Sequence, residues 1–131
     1  MIFGIGIDTI EVPRIAASIA NYGEQFLTRI FSPEEIRYCN SRRNVAEHFA
    51  ARFAGKEALA KALGTGIRNG FRWSESVIAK EFSGKPIVIL RASMLDMASR
   101  IIGSKYTIHI SLSHTKEVAE AMVVIEVVGR E

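Results

Sequence analysis

Residues 53–66 read FAGKEALAKALGTG, a stretch in which Glu57 and two lysines stand among alanines and leucines. Together with the residues before it, this stretch predicts a long helix over about 45–63. Gly64 is expected to end the helix, because glycine readily adopts the backbone conformation found just beyond a helix C-terminus. The charged residues of this helix are the first candidates for a function.

Placing these residues at intervals of about 100° divides the helix into two faces. One face is apolar and is predicted to meet a core: Phe49, Phe53, Ala60 and Leu63. The adjoining flank carries alanines and three charges: Ala46, Glu47, Ala50, Ala54, Glu57, Ala58 and Lys61. Because small residues allow close approach, we expect another chain or a ligand beside Glu57 and Lys61. The alternative is an ordinary surface pair at i, i+4 spacing, which contributes little stability.

The bulk composition bounds the class of protein. At 131 residues the chain fits one domain, spanning 1–131, and can bury a real core. Its 48% hydrophobic and 24% charged residues are typical of a globular protein slightly rich in apolar groups, so we expect association to cover some surface. The net charge of +3 suits anionic ligands or an acidic protein partner. No window reaches the roughly 18 apolar residues of a membrane helix, so no membrane association is expected.

The cysteine content and the N-terminal residues predict the compartment. The single Cys39 cannot form an internal disulfide. The start MIFGIGIDTI has no basic leader and no long apolar run. We therefore expect a cytoplasmic protein.

Turn and capping residues divide the rest of the chain into short elements. The predicted elements are a strand at 2–8 with Asp8 at its exit, a helix from Pro13 to about Tyr22, a short helix begun by a capping box of Ser32 and Glu35, two strands within 74–90 joined by a turn at Ser83 to Pro86, a helix at about 93–102, and a strand, turn and strand over 106–128. Separate helices and hairpin-connected strands favour an α+β fold over a doubly wound sheet.

Asp8 is the second candidate carboxylate. It is predicted to lie where a strand ends, after two glycines that permit close backbone approach. Magnesium is commonly held by one or two carboxylates together with substrate phosphates and water, so Asp8 and Glu57 would suffice. The alternative role of Asp8 is a turn former or helix cap. A dinucleotide-binding fingerprint is rejected, because Thr9 stands where a third small residue is needed.

The segment HISLSHT, residues 109–115, is the third candidate element. Hydroxyls, turn N–H groups and an imidazole are suitable contacts for phosphate or pantetheine, which makes Ser113, His114 and Thr115 candidates. An ordinary hairpin is the alternative. A serine hydrolase is disfavoured because the G-x-S-x-G elbow is absent. In the basic run SRRN, residues 41–44, Arg42 or Arg43 is either a phosphate ligand or part of a solvated loop.

Four segments, taken in their order and spacing, resemble the holo-acyl-carrier-protein synthase family of phosphopantetheinyl transferases. They are GIDTIEVPRI, ARFAGKEALAKALGTG, GKP and HISLSHTKEVAEAMVVIE, and together they cover nearly the whole chain. The resemblance implies a small antiparallel sheet packed with one long and several short helices. It also implies transfer of 4'-phosphopantetheine from coenzyme A to a serine of apo acyl carrier protein, which releases adenosine 3',5'-bisphosphate and serves fatty acid biosynthesis.

The resemblance assigns catalytic roles to three residues. Asp8 and Glu57 are implied as ligands of a magnesium ion. Lys61 is implied to contact the coenzyme and to offset charge that develops on the attacked phosphoryl group. Glu57 is also the nearest candidate to accept the proton of the carrier serine, directly or through an ordered water.

The resemblance also implies binding residues and partners. His114, Ser113 and Thr115 match the family segment that lines the coenzyme site, and Arg43 falls near basic residues that hold coenzyme phosphates. Arg14 matches a position that meets an acidic helix of the carrier. The family forms homotrimers with active sites between neighbouring subunits, so a homotrimer is expected here.

Two other classes of function remain to be compared with the transferase. One is a noncatalytic module that binds coenzyme A or an acidic protein, which would need no magnesium. The other is a nucleic-acid module, which is disfavoured because no basic stripe is combined with exposed aromatic residues.

Overall fold

A computed structural model describes residues 1–129 of the chain. These residues form five strands, five α-helices and one short 3-10 turn: β1 (Ile2–Glu11), α1 (Val12–Tyr22), α2 (Glu24–Ile30), α3 (Pro33–Asn40), α4 (Val45–Leu63), the 3-10 turn (Trp73–Glu75), β2 (Ser76–Lys80), β3 (Pro86–Leu90), α5 (Ala92–Ile102), β4 (Tyr106–His114) and β5 (Val118–Val127). The predicted α+β class is confirmed. None of the helices described here is long and apolar enough to cross a bilayer.

The strands form two antiparallel sheets. The larger sheet has the order β1-β5-β4, and β2 and β3 form a separate hairpin. Exposure alternates along β4, as the sequence pattern predicts. Its more buried residues face α4, whereas His109, Ser111 and Ser113 are exposed on the opposite face. The inner face of the sheet therefore belongs to the core, and the outer face is open in the single chain.

α4 crosses the inner face of the sheet with its predicted bounds. Gly64 follows it in the left-handed conformation, with φ of 84°. Buried residues occur on nearly all sides of this helix, because the sheet covers one side and the short helices cover another. The predicted division into a core-facing face and an accessible alanine flank is therefore wrong.

Two glycines of β1 pack against α4 at Ala58 and Ala62. A Cβ atom at Gly6 would lie 1.9 Å from the carbonyl oxygen of Ala58, and one at Gly4 would lie 1.9 Å from that of Ala62. Ala58 is fully buried as a result. At Ala58, the close approach predicted from the alanines is thus made by a strand of the same chain.

Two other predictions need correction. β1 continues to Glu11, so Asp8 lies inside the strand, where it pairs with Ala121, and not at a strand exit. The pairing with β5 extends to Val118 and holds these residues in the sheet. α2, which begins directly after the α1 stop at Gly23, was not predicted from the sequence.

The capping box that begins α3 is confirmed and belongs to a larger buried network. Ser32 accepts a hydrogen bond from the Glu35 amide, and the Glu35 carboxylate accepts one from the Ser32 amide. The same carboxylate accepts from Ile78 N at 2.8 Å and pairs with Lys56 Nζ at 2.8 Å. Lys56 also donates to the carbonyl of Trp73. This network joins α3, α4, β2 and the 3-10 turn in the interior.

Candidate active site

Asp8 and Lys61 meet where β1 lies against α4. Lys61 Nζ donates to Asp8 Oδ1 at 3.2 Å and to the carbonyl oxygen of Ile7 at 2.9 Å. The Asp8 side chain is 12% exposed and that of Lys61 is 55% exposed. The close packing of glycine on alanine brings the strand near enough for this contact.

Glu57 lies beside Asp8 on the same surface. The pKa of Glu57 is raised, first by burial and then by the neighbouring Asp8 carboxylate. Lys61 and Arg14 oppose this rise through their positive charges. In residues 1–129, however, no ion pair within 4.0 Å joins Glu57 to Lys61, because Lys61 turns toward Asp8. The predicted i, i+4 pair is therefore replaced by a contact between helix and strand.

The donor set at this point fits a hard divalent cation. Asp8 Oδ2 is buried and has no hydrogen-bond partner in the part of the chain described. A buried, unpartnered carboxylate oxygen is costly unless a cation or donor satisfies it. Within residues 1–129 no three His, Cys, Asp or Glu side chains gather into a site that could hold a metal alone. Two carboxylates that share a cation with phosphate oxygens and water match the usual magnesium environment.

A basic pocket lies farther toward the N-terminal end of α4. The cavity has a volume of about 150 Å³. It is lined by side chains of α4, of the β2–β3 hairpin and of the end of β4: His48, Arg52, Lys80, Gly84, Pro86 and His114. Of the four nitrogen-bearing side chains here, only His114 was predicted from the sequence as a site residue.

Arg52 supplies a buried positive charge to this pocket. The residue is 2% exposed, and its Nε atom has no partner among the described residues. Its guanidinium lies 4.4 Å from the centre of the Tyr38 ring, where Lys80 and Arg42 also approach at 5.2 and 5.5 Å. Burial raises the pKa of Tyr38, but the three cations outweigh burial and leave this pKa below its ordinary value. Such an excess of positive charge suits an anion.

Two histidines form one wall of the basic pocket. His114 Nδ1 is 2.8 Å from Glu47 Oε1, which fixes the orientation of its ring. The ring of His48 lies 5.0 Å from that of His114. Burial, followed by the charges of His114 and Arg52, lowers the pKa of His48 to about 4. His48 is therefore neutral near pH 7 and offers a hydrogen bond without a charge.

The remaining predicted site residues lie around these two centres. Ser113 faces the open side of the sheet, opposite to His114, and lines a shallow groove with Ile7 and Glu120. The hydroxyl of Thr115 accepts from the amides of the β4–β5 turn. Arg43 is exposed in the loop between α3 and α4. The structure thus brings Asp8, Glu57 and Lys61 together and leaves Ser113, Thr115 and Arg43 apart from them within one chain.

A groove between the first two helices and α4 was not predicted from the sequence. It has a volume of about 560 Å³ and is formed by α1, α2, α4 and the segment after α4: Ser18, Tyr22, Gln25, Phe26, Arg29, Ile30, Phe53, Ile67 and Trp73. Phe53 stacks on Phe26 and on Trp73, with ring centres 6.5 and 5.0 Å apart. Tyr22 is 63% exposed at its rim. Arg14 lies on the same helix as Tyr22 and is exposed.

The two centres combine a pair of carboxylates with a basic pocket that suits an anion. The sequence profile of the 4'-phosphopantetheinyl transferase superfamily matches residues 4–123. The chain therefore belongs to this superfamily, which confirms the resemblance drawn from the four sequence segments.

Individual relatives agree over nearly their whole length. The holo-[acyl-carrier-protein] synthase of Koribacter versatilis is 47% identical over 126 residues, which cover 96% of this chain and 99% of the relative. The solved holo-[acyl-carrier-protein] synthase of Neisseria meningitidis has a TM-score of 0.85 at 33% identity and covers 96% of this chain and 99% of its own. The synthase of Bacillus anthracis, solved in complex with CoA (3',5'-ADP), has a TM-score of 0.79 at 35% identity and covers 98% and 99%. The predicted fold type is confirmed.

Proposed function

We propose that this chain transfers 4'-phosphopantetheine from coenzyme A to a serine of apo acyl carrier protein and releases adenosine 3',5'-bisphosphate. Membership of the superfamily and the holo-[acyl-carrier-protein] synthases among its relatives support this reaction. The observation that carries it is the meeting of Asp8, Glu57 and Lys61 where β1 crosses α4. Because family and site agree on an enzyme, a noncatalytic binding module is not favoured.

The chemistry is a phosphoryl-centred displacement. The carrier serine oxygen forms a bond to the β-phosphorus of coenzyme A, and the bond from that phosphorus to the bridging oxygen breaks. The serine proton goes to the Glu57 carboxylate, directly or through an ordered water. Lys61 places a positive charge beside the pyrophosphate, where negative charge develops.

Asp8 and Glu57 are the residues that would hold a magnesium ion. When bound, magnesium supplies positive charge to the pyrophosphate oxygens of the substrate. The unpartnered Asp8 oxygen and the adjacent Glu57 carboxylate support this assignment.

The basic pocket is the proposed site for further phosphate of coenzyme A. Arg52 and Lys80 supply charge there, His114 supplies an oriented imidazole, and Arg43 lies in the loop before α4. Arg52 and Lys61 are nine positions apart on α4, so they project from opposite sides of the helix, roughly 13 Å apart along its axis. A single coenzyme would therefore join the two sites only across neighbouring copies of the chain.

The open face of the larger sheet supports a homotrimer. Ile5, Ile7 and Met122 are 62%, 55% and 46% exposed on it, which is unusual for large apolar residues in one patch. We propose that this face packs against neighbouring copies in the cytoplasm. Ser113, on the same face, and Thr115, at the adjacent turn, would then contact coenzyme A that is bound between subunits.

The aromatic groove is the proposed docking site of the carrier. Arg14 and Arg29 supply positive charge for an acidic helix, and the stacked rings of Phe26, Phe53 and Trp73 supply apolar contact. Glu57 lies near Arg14, whose charge lowers its pKa, so a docked carrier would present its serine close to the carboxylates.

Mass spectrometry of the carrier tests the proposed function. The protein is mixed with apo acyl carrier protein, coenzyme A and magnesium, and the carrier is weighed. We expect a gain equal to one phosphopantetheine group, and we expect a chelator to prevent it. An unchanged carrier mass under all conditions would refute the transfer, whereas a gain that persists with chelator would refute only the role of magnesium.

A further inference from the structure

Among the described residues, only one of the two Asp8 carboxylate oxygens has a hydrogen-bond partner. Its Oδ1 atom accepts from Lys61, whereas its buried Oδ2 atom has no partner among residues 1–129. The second carboxylate, Glu57, lies near enough for Asp8 to raise its pKa. Among the described residues, the ammonium of Lys61 is thus the single cation in ion-pair contact with the Asp8 carboxylate.

The side chain of Lys61 is fixed by few polar contacts. Two contacts retain its Nζ atom, the 2.9 Å bond to Ile7 O and the 3.2 Å bond to Asp8 Oδ1. The side chain is nevertheless 55% exposed. Water can therefore solvate the ammonium as it leaves, whereas the Asp8 carboxylate, at 12% exposed, needs another cation in its place. Lys61 can therefore leave Asp8 without disturbing the core.

We propose that Lys61 occupies the place of the divalent cation on Asp8 in the metal-free protein, and that it swings off Asp8 when the cation binds. This inference rests on the proposed function, because it takes Asp8 and Glu57 as the metal ligands. A divalent ion brings twice the charge of an ammonium to the two carboxylates and repels the lysine. The released ammonium is then available to an anionic substrate, so metal loading and substrate contact are coupled through one side chain.

The competing arrangement leaves Lys61 in place. In that arrangement the cation would use Asp8 Oδ2 and Glu57, while Oδ1 kept its bond to Lys61. The two arrangements differ in what happens to the lysine on metal binding, and this difference can be measured without coenzyme A or carrier.

Reactivity of Lys61 is the direct measurement. The protein is reductively methylated with formaldehyde and a borane in the absence and presence of saturating Mg²⁺, and each lysine is quantified by peptide mass spectrometry. We expect Mg²⁺ to increase the methylation of Lys61 severalfold and to leave Lys105, an exposed lysine before β4, unchanged. The Asp8→Asn variant should react rapidly at Lys61 without Mg²⁺ and should not respond to it. Unchanged Lys61 reactivity in the wild type would overturn the inference.

Metal affinity provides the second measurement. Binding of Mn²⁺ alone is followed by electron paramagnetic resonance for the wild type, Lys61→Met and the control Lys105→Met. Removing the competing ammonium should tighten Mn²⁺ binding about two- to fivefold, in line with the modest contribution of a partly exposed pair, and Lys105→Met should match the wild type. Equal or weaker binding by Lys61→Met would overturn the inference.

The two proposals fail in different ways. Metal binding with an unmoved Lys61 contradicts the exchange alone and leaves the metal site standing. The absence of Mn²⁺ binding in every variant contradicts the exchange, which requires a cation on Asp8 before any substrate phosphate is present. Transfer of phosphopantetheine is judged separately by the mass of the carrier.

Discussion

Replacing Gly6 with alanine tests whether the contact between β1 and α4 sets the geometry of the site. The added Cβ atom would lie 1.9 Å from Ala58 O and 2.9 Å from Ala62 N, both of which are backbone atoms of α4. An ordinary carbon–oxygen contact is about 3.3 Å or more, so strand and helix must separate by on the order of 1 Å. Because no side chain can rotate away, the cost should reach roughly 3 kcal/mol, the upper part of the range for overpacking.

The same displacement moves Asp8, two residues along the strand, away from Glu57 and Lys61. A misplacement of about 1 Å can reduce turnover by roughly 100-fold, so kcat for transfer should fall by that order. The free energy of unfolding is measured by denaturant titration at fixed protein concentration, and kcat is measured on the folded protein.

Gly55→Ala is the matched control. Its Cβ atom would meet the ends of flexible side chains, with Ile78 Cδ1 nearest at 2.4 Å. Alanine is also a better helix former than glycine by about 1 kcal/mol, which offsets the crowding. This variant should therefore stay within about 1 kcal/mol of the wild type and retain its kcat. Wild-type stability and turnover in Gly6→Ala would refute the reasoning.

Three further predictions concern other parts of the molecule. Lys56→Met leaves the buried Glu35 carboxylate without its cation and should lower the free energy of unfolding by roughly 3–5 kcal/mol. The double variant Glu35→Gln/Lys56→Met should lose less stability than the two single variants combined, and additive losses in denaturant titrations would contradict this coupling. Arg14→Glu should raise the KM for the carrier with little change in kcat, and an unchanged KM in steady-state assays would remove Arg14 from the docking surface. In the metal-free protein, the raised pKa of Glu57 means that its ionised form destabilises the fold, so Glu57→Gln should be more stable than the wild type near pH 7. This difference in the free energy of unfolding should shrink as the pH falls toward the ordinary glutamate pKa of 4.5, and a difference that grows in acid would contradict the prediction.

Local signals in the sequence were sufficient for the elements that depend on neighbouring residues. The capping box at Ser32 and Glu35 and the stop at Gly64 depend on hydrogen bonds and backbone conformation within a few residues, so they could be predicted. The second role of Glu35, as the partner of Lys56, could not, because it requires residues 21 positions apart to meet in the interior.

The candidate site shows the same division. Asp8, Glu57 and Lys61 were identified by residue type and family motif. The pairing of Lys61 with Asp8 could not be predicted in this way, because it follows from the packing of Gly6 in β1 on Ala58 in α4, and a helical wheel describes one helix alone. Arg52 was missed because a basic residue in an alanine-rich helix gives no local sign of burial. The aromatic groove was missed because its lining comes from several separate segments, one of them the unpredicted α2.

The single-turnover rate of phosphopantetheine transfer by Asp8→Ala and Glu57→Ala tests the central claim most directly. With carrier, coenzyme A and magnesium at saturation, each variant should be at least about 100-fold slower than the wild type, as expected for loss of a preorganised electrostatic stabiliser, while circular dichroism shows an unchanged fold. Rates near that of the wild type in both folded variants would contradict the claim that these two carboxylates act together on the pyrophosphate.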